Sequence, residues 1–430
     1  MPTMAGGENE ALLETQSYPY YDEDGYSIYS ENTTKRKQVL RYAIYAVGFL
    51  VGLPLLYFLL IYLPNLAPPG VTIPQMTKVG ESKVYLHPLV SQSAQVFDKD
   101  EDEETQTLGL EPFRQSPPQF DEFEFLDSND PLLEEHLKSI ALEKHAKKPV
   151  RRLIIIGDVH ASLKQLTKLL DKVQYDGGKE DEVILLGDFV AKGKDSIGVL
   201  DWAIMHNSGC VLGNHELSVL ERYAQFHGVS PPNFGLDTRV STQLFDLDEE
   251  MRIAKRLRPE HVSFLASCPV INQLGPVPHM NKKQTHYLAN PLNGVAVHGG
   301  LIWNMTLENQ DPDVVTTVRS LLPPDFVVAT DDPHDQGSQP WSRYWNKHQR
   351  LVYKSAPKED LKSGKPVGTM VLYGHDAKRG LKYKEYTTGL DSGCVYGGKL
   401  SAEVIWSEAQ TKADGTSKVV YQRQSVQVSC

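Results

Sequence analysis

Five times along this 430-residue chain, a short apolar run stops at a glycine, or at a histidine just before one, beside side chains able to bind a metal. Leu153-Ile154-Ile155-Ile156 leads into Gly157-Asp158-Val159-His160, Val183-Ile184-Leu185-Leu186 into Gly187-Asp188, and Cys210-Val211-Leu212 into Gly213-Asn214-His215-Glu216. Val295-Ala296-Val297 leads into His298-Gly299-Gly300, and Met370-Val371-Leu372-Tyr373 into Gly374-His375-Asp376. Short continuous apolar runs fit strands buried on both faces. Leu163, Leu166, Leu169 and Leu170 recur at helical spacing after the first run, and Ser196 to Met205 reads as another helix. This alternation predicts a largely parallel sheet covered by helices. Parallel strands deliver their C-terminal ends to one edge, so the flanking side chains are expected to converge there. Later strands at 295–297, 370–373, 402–406 and 419–422 come with fewer helices and predict a second sheet packed on the first, with 230–260 and 305–365 as loops or insertions.

Taken singly, a Gly-Asp pair after a strand is an ordinary turn, and a lone histidine is a satisfied core residue. Five strand ends offering two Asp, one Asn and four His point to chemistry instead. Oxygen donors mixed with imidazole nitrogens suit Zn, Mn, Fe or Co better than Ca. Seven donors exceed the needs of one ion. Two divalent ions about 3.5–4 Å apart can share a carboxylate, activate a water near neutral pH and clamp a phosphate.

The order GDxH, GDxV, GNHE, HGG, GHD resembles that of the calcineurin-like metallophosphoesterases, over about residues 150–410. The resemblance implies a four-layer α/β/β/α sandwich. It implies that Asp158 and His160 bind one metal, Asp188 bridges, and Asn214, His298 and His375 bind the other. His215 would protonate the leaving oxygen, with Glu216 orienting from behind. Protein Ser/Thr phosphatases read GDxVDRG in the second block, where this chain has GDFVAKG, with Ala191 and Lys192. Lys192 keeps a cation without the bidentate fork of arginine, and nothing at Ala191 can orient His215.

Ala191, the Gly193-Lys194-Asp195-Ser196 stretch and the block from Leu390 to Leu400 resemble the bacterial symmetrical diadenosine tetraphosphate hydrolases. Together with a membrane anchor, they make the chain look like the fungal vacuolar zinc-dependent endopolyphosphatases. That likeness implies polyphosphate or another phosphoanhydride as substrate, cut in a groove of cations. Candidates are Lys192, Lys194, Arg343, Lys347, His348, Arg350, Lys378, Arg379, Lys382 and Lys384, with Arg343 expected as a phosphate clamp. Diadenosine polyphosphates are the alternative substrate, with Trp341, Tyr344 or Trp345 to stack a base. A protein phosphatase is disfavoured by Ala191, and a non-catalytic receptor by the intact donor set. No specific nucleic acid is expected.

The anchor is the uncharged run from Tyr42 to Leu63, long enough to span a hydrocarbon core of ~30 Å. Lys35, Arg36, Lys37 and Arg41 precede it and the next cation is Lys78, so the N-terminus is expected in the cytosol and the rest in a lumen or outside. A cleaved signal peptide would start nearer the N-terminus. Residues 1–41 then form a disordered tail, 42–63 the membrane helix, 64–149 an acidic, largely irregular stalk and 150–430 the catalytic domain. The formal net charge of −11 lies in residues 1–149, which hold 12 Lys+Arg and 23 Asp+Glu. Asn304-Met305-Thr306 is a glycosylation sequon on the predicted lumenal side. Cys210, Cys268, Cys394 and Cys430 are expected to be buried free thiols, being too few and scattered for a disulfide framework.

Overall fold

The structure, a computed structural model, describes residues 28–63, 70–91, 120, 123–143, 146–235, 247–283, 287–288, 290–411 and 415–430. The chain divides into two units, residues 1–68 and 69–430. In the first unit, the helix Ile28–Tyr57 continues through a π-helical turn, Phe58–Tyr62. Its stretch over residues 35–62 is long and apolar enough to cross a membrane. A helix pairs its backbone groups internally, which is what hydrocarbon demands of any spanning segment.

The second unit is built on two sheets. The first runs in the order Phe123–Phe125, Leu89–Ser91, Lys399–Thr411, Arg152–Ile156, Asp181–Leu185, Gly209–Cys210, with Ser417–Ser429 paired along the length of Lys399–Thr411. Arg152–Ile156, Asp181–Leu185 and Gly209–Cys210 are mutually parallel. The second sheet runs Val79–Glu81, Ile271–Val277, Leu292–Val297, Thr369–Tyr373, Thr387–Gly389, Lys382–Lys384. Its strands Leu292–Val297, Thr369–Tyr373 and Thr387–Gly389 are parallel. Ile154, Val183 and Val404 of one sheet and Val297 and Val371 of the other belong to a single apolar cluster. Each such fully buried side chain contributes ~1.5–3 kcal/mol relative to exposure. The predicted helices are present: Leu163–Lys172 buries Leu166, Leu169 and Leu170, and Ser196–Met205 is capped by the Asp195 carboxylate, which accepts from the Gly198 amide.

Three expectations are corrected. The strands predicted at 402–406 and 419–422 extend the first sheet, because Lys399–Thr411 pairs antiparallel with Arg152–Ile156. The segment 64–149 is not a stalk throughout its described part. Val79–Glu81 pairs with Ile271–Val277, Val84–Leu86 with Lys148–Val150, and Leu89–Ser91 with Phe123–Phe125, while Leu133 and Leu137 of the helix Pro131–Ser139 are buried. Strands of three residues are too short to show a period and take their partners from distant chain, so the sequence pattern hides them. The acidic run at 98–104 lies outside the described residues.

The cysteines are not free thiols. Cys210 is bonded to Cys268 and Cys394 to Cys430. The Leu212 amide donates to the Pro269 carbonyl and the Cys430 amide to the Gly398 carbonyl, so backbone pairing brings together cysteines 58 and 36 residues apart in sequence. Pairing at such separations is a tertiary fact that spacing does not encode.

Candidate active site

The parallel strands end at one edge and turn there through glycines that admit nothing larger. Gly187 has φ +80°, and a Cβ on it would lie 2.6 Å from the Gly213 nitrogen and 2.8 Å from His298 Nδ1. A Cβ on Gly374 would press into the Asp158 carboxylate. Several functional side chains sit on left-handed backbone as well: His160 (φ 43°), Asp188 (φ 47°), Ala191 (φ 64°), Lys192 (φ 61°) and His375 (φ 67°). Non-glycine residues in this region are uncommon, and their clustering at a functional edge is a familiar form of local strain.

The first sheet delivers Asp158, His160, Asp188, Asn214 and His215, and the second delivers His298 and His375. Asp188 is central. Its Oδ2 lies 3.7 Å from His160 Nε2 and 3.8 Å from His215 Nε2, and its Oδ1 lies 3.2 Å from His298 Nε2. His298 Nε2 is also 3.2 Å from Asn214 Oδ1 and 3.2 Å from His375 Nδ1. His160 Nε2 is 3.8 Å from Asp158 Oδ2, and the Asp158 carboxylate accepts from the His375 amide at 3.0 Å. Two overlapping groups could therefore hold a metal ion: His160, Asp188 and His215; and Asp188, His298 and His375.

The donor set fits divalent ions in a further respect. His298 holds the Leu186 carbonyl through Nδ1 (2.8 Å), His375 the Thr317 carbonyl through Nε2 (2.9 Å), and His160 the Val190 carbonyl through Nδ1 (3.4 Å). Each ring thus spends one nitrogen on a backbone carbonyl and turns the other into the cluster, the arrangement that fixes the tautomer of a metal-binding histidine. Charge agrees. Burial, followed by the neighbouring Asp391, pushes the Asp158 carboxyl well above the usual range. Burial alone would raise Asp188 too, but the charge and hydrogen bond of His298 hold it well below. Burial works against charge on His298, yet Asp188 and Asp158 outweigh it and push the ring up to about 10. Carboxylates this buried demand a cation, and a proton on His298 meets that demand only in part.

His215 differs from the other rings. Its Nδ1 meets the Glu250 carboxylate at 2.8 Å, and that contact together with Asp188 raises its pKa in spite of burial. Glu216 does not touch the His215 side chain in the way expected. It is fully buried and accepts from the amides of Asp188 (2.7 Å), Val190 (3.0 Å) and Gly213 (2.8 Å), so it shapes the two loops. Lys192 reaches the cluster, with Nζ 3.4 Å from His160 Nε2.

A cleft of about 420 Å³ opens over these residues, lined also by Arg319, Lys378, Asp391 and Tyr396. Arg343 does not line it. That side chain is exposed and donates to Gln339 Oε1 (3.1 Å), because the helix Trp341–Lys354 turns its Trp341 and Trp345 face inward. The arginine in the cleft is Arg319, whose Nη2 donates to the His375 carbonyl at 3.3 Å. Trp341 and Trp345 are buried, leaving Tyr396, 74% exposed, as the aromatic ring on the cleft wall.

Glu250, Arg319 and Asp391 were not anticipated. Asp391 carries a signal, since Thr387-Thr388-Gly389-Leu390-Asp391 repeats the pattern of a strand ending at Gly and a ligand, and Thr387–Gly389 is parallel to Thr369–Tyr373. Glu250 and Arg319 carry none.

Strand ends of two facing sheets that gather Asp, Asn and His donors around a central shared carboxylate define the metallophosphoesterase class of hydrolases. The calcineurin-like phosphoesterase profile matches residues 151–379, and the chain belongs to that family. It is 27% identical over 275 residues to a symmetrical bis(5'-nucleosyl)-tetraphosphatase of Methylobacillus flagellatus, covering 57% of this chain and 89% of the relative. It is 25% identical over 297 residues to the zinc-dependent endopolyphosphatase of Saccharomyces cerevisiae, covering 65% of this chain and 81% of that one. A crystal structure assigned as a diadenosine tetraphosphatase is 28% identical, covering 64% of this chain and 94% of that one, with a TM-score of 0.43.

Proposed function

We propose that the cleft hydrolyses internal phosphoanhydride bonds of inorganic polyphosphate with the help of two divalent ions, zinc first, with manganese, cobalt or iron as alternatives. The observation that carries this reading is the orientation of His160, His298 and His375, each tied to a carbonyl through one nitrogen and facing Asp188 and its neighbours with the other. Asp158 and His160 would hold one ion, Asn214, His298 and His375 the second, with Asp188 shared between them, on a four-layer sandwich of the family's kind. Bound there, the ions supply Lewis acidity and a lowered pKa for water.

The chain's own groups do the rest. Lys192 and Arg319 face the non-bridging oxygens and neutralise charge as it develops. Water attacks phosphorus and gives up one proton to solvent, the bond to the bridging oxygen breaks, and that oxygen departs with the electron pair and takes a proton from His215 Nε2, which solvent then restores to the ring. Glu250 holds the ring in place for that transfer. The endopolyphosphatase relative and the cations flanking His375 favour a long polyanion over a phosphoprotein. A second reading, hydrolysis of diadenosine polyphosphates, is favoured by the tetraphosphatase relative and by Tyr396, which offers a ring to a base at the cleft.

The N-terminal helix serves as a type II signal anchor, with the catalytic unit in a lumen, that of the vacuole by analogy with the fungal enzymes. The cations before the helix, two disulfides and the exposed Asn304 sequon support this placement. The test gives chelated, metal-reloaded full-length protein long polyphosphate, diadenosine tetraphosphate, a phosphopeptide and p-nitrophenyl phosphate. Chain shortening without early orthophosphate supports the reading, and a preference for the dinucleotide overturns it.

A further inference from the structure

Four cations meet beside the cleft with one carboxylate between them. Arg379, four residues beyond His375, pairs with Asp376 and also reaches the Arg319 carbonyl (3.2 Å) and Ser320 Oγ (3.1 Å). Arg319 in turn lines the cleft and touches His375, so Arg379 stands one residue removed from the metal-binding edge. Lys382 and Lys384 alternate along the edge strand Lys382–Lys384 and so share one face. Tyr383 between them turns the other way and donates to Glu403 (2.9 Å). Lys384 Nζ donates to Ser342 Oγ (2.7 Å) in the first turn of the helix Trp341–Lys354, next to Arg343.

Among the described residues, no carboxylate lies within ion-pairing distance of Lys382, Lys384 or Arg343. Surface cations are normally free to spread into solvent, but Lys384 is held between a helix and an edge strand. Burial and its neighbours Arg379, Lys382 and Arg343 push its ammonium down to about 8, with Asp376 opposing. Like charges gathered around a partly desolvated ammonium repel, and a multivalent anion would relieve them all at once.

We infer that Arg343, Arg379, Lys382 and Lys384 form a second anion site, apart from the metal donors, that grips a stretch of phosphate chain not being cut. This rests on reading the cleft as a phosphoanhydride hydrolase. Lys378 and Arg319 on the cleft wall join the two sites into one cationic path. A chain held along its flank presents an interior bond to the donors, whereas a cleft without the flank would accept chain ends as readily. Arg343, misplaced as a clamp at the reacting phosphorus, finds its role here.

The experiment uses the full chain in detergent and the triple variant Arg343→Ala, Lys382→Ala, Lys384→Gln, leaving Arg379 and its pair with Asp376 intact. Binding of long-chain inorganic polyphosphate to metal-stripped protein is measured at several salt concentrations, with the thermal midpoint, and the zinc taken up by the same protein on reloading, as folding controls. The triple variant should bind roughly tenfold more weakly and with a shallower salt dependence, as lost phosphate contacts release fewer counterions. Turnover of p-nitrophenyl phosphate and pyrophosphate, too short to reach the flank, should stay within about twofold of wild type. Lys384→Arg alone should bind like wild type. If the wild type shortens polyphosphate and the triple variant binds it equally well, the flanking site is overturned while the cleft reading stands. If the wild type neither binds nor cuts polyphosphate, both fall.

Discussion

The Glu250 carboxylate sits 2.8 Å from Nδ1 of His215 and ties the helix Glu249–Ala254 to the first turn of the helix Asn214–His227. Seven residues after His215 on the same helix, Arg222 forks onto Asp248 through Nε (2.8 Å) and Nη2 (2.6 Å), and Asp248 caps the Glu249–Ala254 helix through the Met251 amide. Two polar clamps therefore set the height at which Glu250 meets the ring, and the contact with His215 holds the Glu250 carboxyl below its ordinary range. In protein phosphatases an aspartate of the second block does this work. Here that position is Ala191, and the carboxylate comes from another helix.

Removing that carboxylate is expected to slow turnover without loosening the metals. Glu250→Ala should lower kcat by about 10–100-fold, less than the roughly 10²–10⁴ expected for losing the general acid itself, because the ring remains and only its support is gone. In a His215→Asn background the same change should cost less than about twofold, because residues acting as a unit are non-additive. Steady-state kinetics with elemental analysis of bound metal checks both, and an additive loss would refute the dependence on His215.

Asp188 and His215 should separate cleanly. Asp188→Asn is expected to abolish turnover and to strip metal, since Oδ1 and Oδ2 face different histidines. His215→Asn should keep its metal while kcat drops by about 10²–10⁴, the range for a lost general acid. Metal titration of the two variants decides, and stoichiometric loss of metal from His215→Asn would make that ring a ligand.

The disulfide between Cys394 and Cys430 tethers the segment that contributes Asp391, Val395 and Tyr396 to the cleft. Cys394→Ser with Cys430→Ser should cost about 2–4 kcal/mol, read as a lower thermal midpoint. Turnover should fall by more than the unfolded fraction explains, because the cleft wall loosens before the core does.

Acid should destabilise the fold through two buried histidines far from the donors. Burial pushes His136 down to about 4 and His279 to about 3, against an ordinary 6.5. In the unfolded chain both take up protons near pH 6.5, while the native rings stay neutral. Their contribution is therefore complete above pH 6.5 and is lost as pH falls towards 4, with His136 alone accounting for up to about 3 kcal/mol. Urea unfolding at pH 7.5 and 4.5 should show the loss. His136→Gln should flatten the dependence, and an unchanged slope in that variant would clear His136 of the effect.

Much of this was legible in the chain. The buried strands announced themselves as unbroken apolar runs, and four of the five ended directly at a glycine, where at Gly187 and Gly374 the edge leaves no room for a Cβ. What stayed hidden depends on distant partners. Val84–Leu86 is a strand only because Lys148–Val150 lies beside it. Glu250 follows a segment with no motif, Arg319 lies between the short helix Pro312–Thr317 and the three-residue strand Ser320–Leu322, and Cys268 ends a helix that nothing in the spacing connects to Cys210. The sequence marks Arg343 as a phosphate clamp, but the two tryptophans of its helix claim the inward face.

Asp188, His160 and His375 sit on a backbone shape that L-amino acids adopt reluctantly, at roughly 1–2 kcal/mol each. The candidate reacting edge thus gathers backbone with little intrinsic liking for its own form, upheld by the sheets behind it. Substitutions deep in those sheets, far from any phosphate, should dim catalysis well before they unmake the protein, and a screen for activity would find core positions that a screen for solubility passes over.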